Sequence, residues 1–301
     1  MASRQEMEYT YSLMDQIFRL SIGERGDFSG AMYDGDFSLS LEEAQDRKHR
    51  FIADMLNVGK GTRILDMGCG WGPLLAFFEE LGAKAKGLTL SSAQAASCRR
   101  AGFDVEIMDC RAIRPETFGQ FDAITSVGAF EHFCSVEEWQ QGKQDAIYGS
   151  FFRTVADLLP VGGRLFLQTM VFGRNMIDYP RIDIHAERGS TPYVLAVMRR
   201  QFPGSWLPFG SEQIERNARP WFRTVFKGSG RLDYMETIRQ WGTRYRRFSP
   251  KKYAFYLSLV PRYLARRDLR QRLSRDQLRS NILCFEREVL DHFRMVLEKT
   301  Q

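Results

Sequence analysis

The chain has 301 residues, of which 44% are hydrophobic, enough to build a packed core in one large domain or two small ones. No run of about 18 apolar residues is present, which argues against a membrane-spanning helix, and the polar start of the chain lacks the apolar core of a signal peptide. The five cysteines form no C-x-x-C pair. We therefore expect a cytoplasmic protein with reduced thiols and no metal site.

The net charge of +6 is unevenly distributed. Residues 201–301 hold 21 Lys and Arg against 10 Asp and Glu, a balance of +11, so the first 200 residues carry a balance of −5. Such a basic region favours an anionic partner, such as a phospholipid surface, a diphosphate or an acyl carrier, although solvated Arg-rich helices produce the same pattern. No zinc-finger, RNP or helix-turn-helix signature supports a nucleic-acid partner.

The first 60 residues read as an N-terminal helical segment. Apolar residues recur at helical spacing over 5–20, which predicts an amphipathic helix, and the glycines at 23, 26 and 30 predict a loop after it. Ser40, followed by two glutamates, is a good N-cap for a second helix that runs to about Leu56.

From Thr62 onward, short apolar strands alternate with helices. Strands are predicted over 63–67, 85–90, 105–108, 121–127 and 163–172, with helices over 73–81, 93–101 and 145–159. Repeated β-α units of this length indicate an α/β fold with a doubly wound, Rossmann-like parallel sheet over residues 61–172.

A glycine-rich turn follows the first of these strands. The segment 66–72 reads Asp-Met-Gly-Cys-Gly-Trp-Gly, and a helical pattern begins at Pro73. Glycines at a strand-to-helix turn let the backbone approach a ligand and direct free helix amides toward it. Dinucleotide-binding folds use the spacing G-x-G-x-x-G, whereas G-x-G-x-G suits the methionine portion of S-adenosylmethionine (SAM). A tight turn without a ligand is the alternative interpretation.

Four loops meet at the carboxyl edge of the predicted sheet, where open α/β sheets bind their ligands. They carry the glycine turn, Thr89 with Gln94, Asp109, and Glu131 with His132. Four such loops in succession favour a ligand site over an isolated turn. Asp109 as a helix cap and His132 as a packing residue stay open as alternatives.

Fewer strand patterns occur after residue 172. One strand is predicted over 221–227 and a last one over 293–298, with helices over 232–248, 250–264 and 267–290. We expect residues 173–290 to form a largely helical cap over the substrate and residues 291–301 to close the core sheet. Aromatic residues are dense over 202–263, which is typical of helix packing or of a tunnel for an acyl or prenyl chain.

Six stretches carry a family resemblance. They are Tyr-Asp-Gly-Asp-Phe at 33–37, Ser-Leu-Glu-Glu-Ala-Gln at 40–45, Leu-Asp-Met-Gly-Cys-Gly-Trp-Gly at 65–72, Gly-Leu-Thr-Leu-Ser-Ser-Ala-Gln at 87–94, Ser-Val-Gly-Ala-Phe-Glu-His-Phe at 126–133 and Leu-Phe-Leu-Gln-Thr-Met at 165–170. Together they resemble the cyclopropane fatty acid synthases, above all the mycolic acid cyclopropane synthases, which are SAM-dependent methyltransferases. The resemblance is dense from about residue 10 to 172 and thins beyond.

The resemblance implies a class I SAM-dependent methyltransferase fold with two sets of site residues. The implied cofactor-binding residues are Tyr33, Asp66, Gly68, Gly70, Thr89, Leu90, Gln94, Asp109, Cys110 and Val127. The implied catalytic positions are Asp34, Glu131, His132, Gln168 and Tyr234. In that family an alkene attacks the methyl group of SAM, and a bound bicarbonate removes a proton from the resulting carbocation. The bicarbonate is held by a Cys, the Glu of the Phe-Glu-His motif, a strand-five His and a Tyr of the cap.

Two of those ligands differ in this chain. Asp34 stands at the position of the Cys and Gln168 at the position of the His, whereas Glu131 and Tyr234 are retained. An anion beside two carboxylates and without a His is electrostatically disfavoured, so bicarbonate binding is in doubt. We expect Asp34 or Glu131 to serve as the base; the alternative is that Asp34 only caps backbone amides in a loop.

The leading functional hypothesis is SAM-dependent C-methylation of a carbon–carbon double bond in a lipid or acyl chain. C-methylation of a prenyl diphosphate, N-methylation, and SAM binding without catalysis are the alternatives. The expected substrate is hydrophobic with an anionic head, either a phospholipid acyl chain or a prenyl diphosphate. Peripheral contact with a membrane, the form of the product and the oligomeric state are left open.

Overall fold

The centre of the fold is a seven-stranded sheet, seen in a computed structural model that describes residues 22–23, 25–202, 204–265 and 276–301. Its strands are β1 (Arg63–Met67), β2 (Lys84–Thr89), β3 (Asp104–Ile107), β4 (Ala123–Val127), β5 (Arg164–Phe172), β6 (Phe222–Ser229) and β7 (Leu290–Lys299). Their order is β3-β2-β1-β4-β5-β7-β6, in which β1 to β5 run parallel and β7 runs antiparallel to β5 and β6. The predicted α/β class and parallel core are confirmed.

Helices connect these strands and cover the sheet. They are α1 (Leu41–Met55), α2 (Pro73–Glu80), α3 (Ser92–Arg100), α4 (Pro115–Phe118), α5 (Val136–Gln140), α6 (Gln144–Leu158), α7 (Thr191–Gln201), α8 (Gly210–Ala218), α9 (Arg231–Arg246), α10 (Pro250–Ala265) and α11 (Asp276–Glu286). Ser40 caps α1 as expected, in a capping box with Glu43. The helix predicted over residues 5–20 lies outside the described residues.

Side chains pack against both faces of the sheet. β1 and β5 are buried over almost their whole length, as parallel strands between two helical layers are. Side chains alternate between the faces: Leu65 and Leu167 pack in one cluster with residues of α6, whereas Ile64 and Phe166 pack in another with residues of α2. The carboxyl edge of the parallel strands is therefore a rigid platform for a site.

Helices α7 and α8 lie within residues 173–290, which the sequence predicted to be largely helical. The C-terminal part differs from the prediction at the last helix and the last strand. The last helix ends at Glu286 instead of Leu290, because Glu288 adopts a left-handed φ of 54° and Val289 N–H donates back to Cys284 O. Strand β7 consequently begins at Leu290, and its first residues reach the carboxyl edge of the parallel strands. Within the described residues, no helix has the length and hydropathy that crossing a membrane requires.

Candidate active site

A cavity opens at the carboxyl edge of the parallel strands. Loops after β1, β2 and β4, residues of β5, the N-terminal loop 26–30 and the start of β7 form its wall. The structure brings to this wall the following residues selected from the sequence: Asp66, Gly68, Gly70, Thr89, Leu90, Gln94, Cys110, Val127, Glu131, His132, Gln168 and Tyr234. These residues come from six separate segments of the chain and meet around one space.

The glycine turn presents bare backbone to this cavity. Gly68, Gly70 and Gly72 have φ angles of 100°, 54° and 81°, in the left-handed region that favours glycine. A Cβ on Gly68 would lie 2.5 Å from the Cβ of Ala129, so a larger residue does not fit against the loop after β4. Gly68 N–H donates to Leu88 O at 3.0 Å, which ties the turn to the end of β2.

The end of β2 adds polar groups to the cavity wall. Thr89 Oγ1 donates to Gln94 Oε1 at 2.8 Å, and the Ser91 side chain caps α3 by accepting from Gln94 N–H at 3.3 Å. These contacts hold a hydroxyl and a carboxamide side by side, an arrangement suited to the vicinal hydroxyls of a ribose. Leu90 and Val127 add apolar surface to the wall.

Asp66 is a buried carboxylic acid next to the glycine turn. Thr125 Oγ1 donates to Asp66 Oδ1 at 2.9 Å. Burial raises the pKa of Asp66 to about 7, because this hydrogen bond offsets only part of the lost hydration. A cationic ligand group nearby would therefore favour the ionised carboxylate, as the ammonium group of an amino-acid moiety does.

Glu131 lies on the turn Phe130–His132 that follows β4. Met170 N–H, on β5, donates to Glu131 Oε1 at 2.9 Å. Burial raises the pKa of Glu131 to about 8, and the hydrogen bond from Met170 only partly counters it. Near neutral pH the carboxyl group is therefore largely protonated until a positive charge approaches it.

A second, mostly apolar chamber adjoins the cavity. Glu131, His132, Met170 and Phe202 line both spaces. The remaining wall of the chamber consists of Phe172, Met176, Ile182, Leu195, Met198, Arg199, Ser205, Trp206, Leu207 and Leu290. The chamber is therefore suited to an aliphatic chain, with Glu131 at its junction with the first cavity.

His132 borders both spaces as a neutral imidazole. Its Nδ1 lies 2.8 Å from Ser205 Oγ. Burial lowers the pKa of His132 to about 4, so the ring carries no charge at neutral pH. His132 is thus a polar but uncharged residue in the wall of a mostly apolar chamber.

Gln168 and Tyr234 join the N-terminal loop to the sheet and the cap. Gln168 Nε2 donates to Gly30 O at 3.0 Å, and Gln168 Oε1 accepts from Arg294 Nε at 3.3 Å. The ring of Tyr234 stacks on the ring of His292, with centroids 4.9 Å apart and planes 7° apart. Gln168 therefore holds the N-terminal loop 26–30 against the sheet through a hydrogen bond. Tyr234 and His292 form a flat aromatic surface in the cavity wall.

Three residues implied by the resemblance lie outside the cavity wall. The carboxylate of Asp109 accepts from Arg111 N–H at 2.9 Å and pairs with the Arg111 guanidinium, which holds it as the cap of the following turn. Asp34 is exposed with a φ of 52°, and its N–H donates to Asp233 Oδ1 at 3.0 Å. Tyr33 is buried in the hydrophobic cluster of the cap. Of the two carboxylates considered as the base, Glu131 therefore lines the cavity and Asp34 does not.

The N-terminal loop reaches the cavity with residues that the sequence prediction missed. They are Gly26, Asp27, Phe28, Ser29 and Gly30. Lys48, fully buried in α1, lies 2.6 Å from both Asp27 Oδ2 and Ser29 Oγ, and His49 Nε2 lies 2.8 Å from the same carboxylate. Burial by itself would raise the pKa of Asp27, but Lys48 and His49 hold it well below its usual range. The feature of the sequence that could have indicated this part of the site is an acidic residue, Asp27, inside a glycine-rich loop.

His292 is a further residue of the cavity wall that the prediction missed. It lies in the cavity wall at the start of β7, one residue before the strand predicted from the sequence. The alternation of His292 and Arg294 on the same face of a buried strand was the signal, because polar residues at inward positions need a partner or a ligand.

Comparisons with known proteins show the family and the fold of this chain. The family model described as "Mycolic acid cyclopropane synthetase" matches residues 1–261. Cyclopropane mycolic acid synthase 3 of Mycobacterium tuberculosis is 30% identical over 244 residues, which cover 77% of this chain and 79% of the relative. The solved structure of the mycolic acid cyclopropane synthase CmaA1, complexed with SAH and CTAB, matches with a TM-score of 0.76 at 23% identity and covers 98% of both chains.

A further solved structure supports the same fold. The cyclopropane synthase MmaA2 from Mycobacterium tuberculosis matches with a TM-score of 0.75 at 22% identity, again over 98% of both chains. The predicted fold class and the predicted enzyme class, a SAM-dependent methyltransferase, are confirmed. Because the family model covers most of its length, the chain belongs to the mycolic acid cyclopropane synthetase family.

Proposed function

We propose that the protein transfers the methyl group of SAM to a carbon–carbon double bond of a lipid or acyl chain. The observation that carries this proposal is the position of Glu131, which lines both the glycine-turn cavity and the apolar chamber. A cofactor in the first space and an aliphatic chain in the second would meet at this carboxyl group. A positive charge forms at that meeting point, and a carboxylate stabilises it.

The raised pKa of Glu131 is suited to a reaction in which positive charge forms beside this carboxyl group. In the reaction, the C–S bond of SAM breaks with its electron pair moving to sulfur, and the alkene π pair forms the new C–C bond. A carbocation remains on the neighbouring carbon. The sulfonium of SAM and later this cation favour the ionised form of Glu131, whose pKa of about 8 in the absence of a ligand brings ionisation within reach at neutral pH. The carboxylate is then charged only when it has a cation to stabilise.

The apolar chamber supports a hydrophobic substrate with an anionic end. Arg199 lies in its wall, with its guanidinium 4.5 Å from the ring centroid of Tyr179 and one nitrogen 2.8 Å from the Tyr179 hydroxyl oxygen. A guanidinium in a mostly apolar wall is suited to a phosphate or carboxylate head group. A phospholipid acyl chain or a prenyl diphosphate each provides this combination.

The basic C-terminal third supports contact with an anionic membrane. Several of its arginines pair within the protein, among them Arg216 with Asp145 and Arg244 with Glu42. Helix α10 instead exposes an apolar stripe at helical spacing, with Tyr253 51%, Leu257 72%, Val260 45% and Leu264 68% exposed. The exposed Arg246 and Arg247 precede this stripe. Apolar and cationic groups together are typical of helices that lie in a lipid interface.

The function is tested by transfer of a labelled methyl group to defined lipids. Purified protein with trideuteromethyl SAM should label dioleoyl phosphatidylglycerol vesicles, as measured by mass spectrometry of the released acyl chains. Dioleoyl phosphatidylcholine should be labelled more slowly, and geranyl diphosphate is the matched probe for a prenyl substrate. Labelling of geranyl diphosphate alone would show that the substrate is a prenyl diphosphate. Labelling of neither the phospholipids nor geranyl diphosphate would refute the proposed reaction.

The membrane contact predicts an effect of the α10 stripe. The double substitution Leu257→Gln and Leu264→Gln should weaken binding to phosphatidylglycerol vesicles by roughly tenfold or more, since each buried Leu contributes about 1.5–3 kcal/mol. Binding should also weaken as salt rises, because exposed charges are screened over about 8–10 Å. Val161→Gln is the matched control, since Val161 is 67% exposed in the loop before β5. Equal vesicle binding by the double variant and the control would refute this contact.

A further inference from the structure

The ring of His292 occupies a slot that is shaped for it. A Cβ on Gly230 would lie 2.6 Å from His292 Nδ1, and a Cβ on Gly30 would lie 3.3 Å from His292 Nε2 and 2.5 Å from the Tyr234 ring. Neither glycine has a left-handed φ, so the backbone conformation does not require glycine at these positions. The requirement is space, because a side chain at either glycine would collide with the stacked rings.

One nitrogen of this ring has no partner among the described residues. Within the described part of the chain, His292 Nδ1 is buried without a hydrogen-bond partner. The opposite edge of the ring faces Gly30, and both residues lie in the wall of the cofactor cavity. A buried imidazole nitrogen without a hydrogen-bond partner costs stability, which makes a ring that also lines the cavity a candidate for chemistry.

The carboxyl groups and the other histidine in the cavity wall have specific partners. Asp27 is paired with Lys48 and His49, and Asp66 accepts from Thr125. Glu131 accepts from Met170 N–H, and burial keeps it largely protonated near neutral pH. His132 contacts Ser205 through Nδ1.

The pairing of β5 with β7 explains why the imidazole of His292 lies close to Gln168. The family resemblance implies a His on strand five at the position of Gln168. In the antiparallel pair, Gln168 lies opposite Arg294 and Met170 opposite His292. His292 is thus a diagonal neighbour of Gln168 on the same face of the sheet. This chain thus has an imidazole on β7, one diagonal step from Gln168, and it stacks on Tyr234.

We propose that His292 accepts the proton released after methyl transfer, so that the protein carries its own base and needs no bound bicarbonate. The inference rests on the proposed function. The carbocation loses a proton from the transferred methyl group or from an adjacent carbon, and the electron pair of that C–H bond closes a ring or forms a new double bond. The proton goes to Nε2 of His292 and leaves to solvent after the product departs.

The electrostatic surroundings suit this role. Burial, together with the positive charges of Arg294 and Lys48, holds the pKa of His292 well below its usual range. The ring is therefore neutral and ready to accept a proton at neutral pH. A C–H bond next to a carbocation is a very strong acid, so a weak base is sufficient to remove its proton.

The test uses trideuteromethyl SAM and dioleoyl phosphatidylglycerol vesicles in buffer purged of carbon dioxide. Wild-type protein should turn over without added bicarbonate. His292→Phe keeps a ring against Tyr234 and should lower product formation by about 100-fold or more, with SAM affinity changed by less than about threefold. In His292→Gly, added imidazole should restore activity in proportion to its unprotonated fraction, which a purely structural role does not predict.

Each outcome is decisive. A wild-type protein that turns over only with bicarbonate, a His292→Phe variant at full rate, or a His292→Gly variant that imidazole fails to rescue would overturn the base assignment and leave the proposed function standing. A wild-type protein that labels no lipid with or without bicarbonate would refute the proposed function and this inference with it. Retention of two or three deuterium atoms in the product shows which C–H bond is broken.

Discussion

Gly70→Val is expected to abolish SAM binding without unfolding the protein. Gly70 lies in the cavity wall, and a Cβ added there meets no described protein atom within 4 Å. The valine would therefore project into the space that the cofactor needs. We expect the dissociation constant for SAM in calorimetry to rise by about 100-fold or more, which corresponds to about 2.7 kcal/mol.

The control for this substitution separates backbone strain from blockage of the site. Gly70 has a φ of 54°, where a β-branched residue is strained. Gly142, in the loop between α5 and α6, has a φ of 71°, and a Cβ added there also meets open space. Gly142→Val should thus cost similar stability, about 1–2 kcal/mol, and leave SAM affinity unchanged. Equal loss of affinity in both variants would attribute the effect to strain and contradict the assignment of the turn as the cofactor site.

The parts of the site that the strand and turn patterns located lie on the parallel strands and the segments that directly follow them, whereas Tyr234 on α9 was selected through the resemblance alone. Gly68, Thr89 and Glu131 were found because a strand pattern followed by a turn specifies both the residue and the sheet edge to which it belongs. These elements are local in sequence, so their periodicity and turn residues define them without knowledge of tertiary contacts.

The residues that were missed depend on long-range packing. The loop 26–30 reaches the cavity because Lys48 and Gln168 hold it from two different elements, and no local pattern reports such contacts. His292 reaches it because β7 inserts antiparallel between β5 and β6, so that the beginning of a strand meets the ends of its neighbours. Asp109 shows the opposite case, since its partner Arg111 is only two residues away, and a local role as a cap was an alternative that the sequence already offered.

Glu131→Gln is expected to lower the rate of methyl transfer by about 100- to 1,000-fold. The amide has the same shape and can still accept the hydrogen bond from Met170 N–H, but it cannot provide negative charge where the carbocation forms. The rate should be measured with labelled SAM and phosphatidylglycerol vesicles, and SAH affinity should change little. Glu138→Gln is the control, because that carboxylate accepts from Ser135 N–H in the capping box of α5, outside the cavity wall. A Glu131→Gln rate within a few fold of wild type would refute the role of this carboxylate.

The same substitution should stabilise the protein, and increasingly so at higher pH. Burial raises the pKa of Glu131 from 4.5 to about 8, so between these values the folded state keeps a proton that the unfolded state has released. The free energy of unfolding of the wild type therefore falls as pH rises through this window, by at most about 1.4 kcal/mol per pH unit from this group. The glutamine does not ionise, so the stability of the variant relative to wild type should grow from pH 5 to pH 8 and then level off. Urea unfolding at several pH values measures the difference, and a difference independent of pH would contradict the assigned burial of Glu131. A variant that is more stable and yet inactive would show that this carboxylate is retained for the reaction at the expense of the fold.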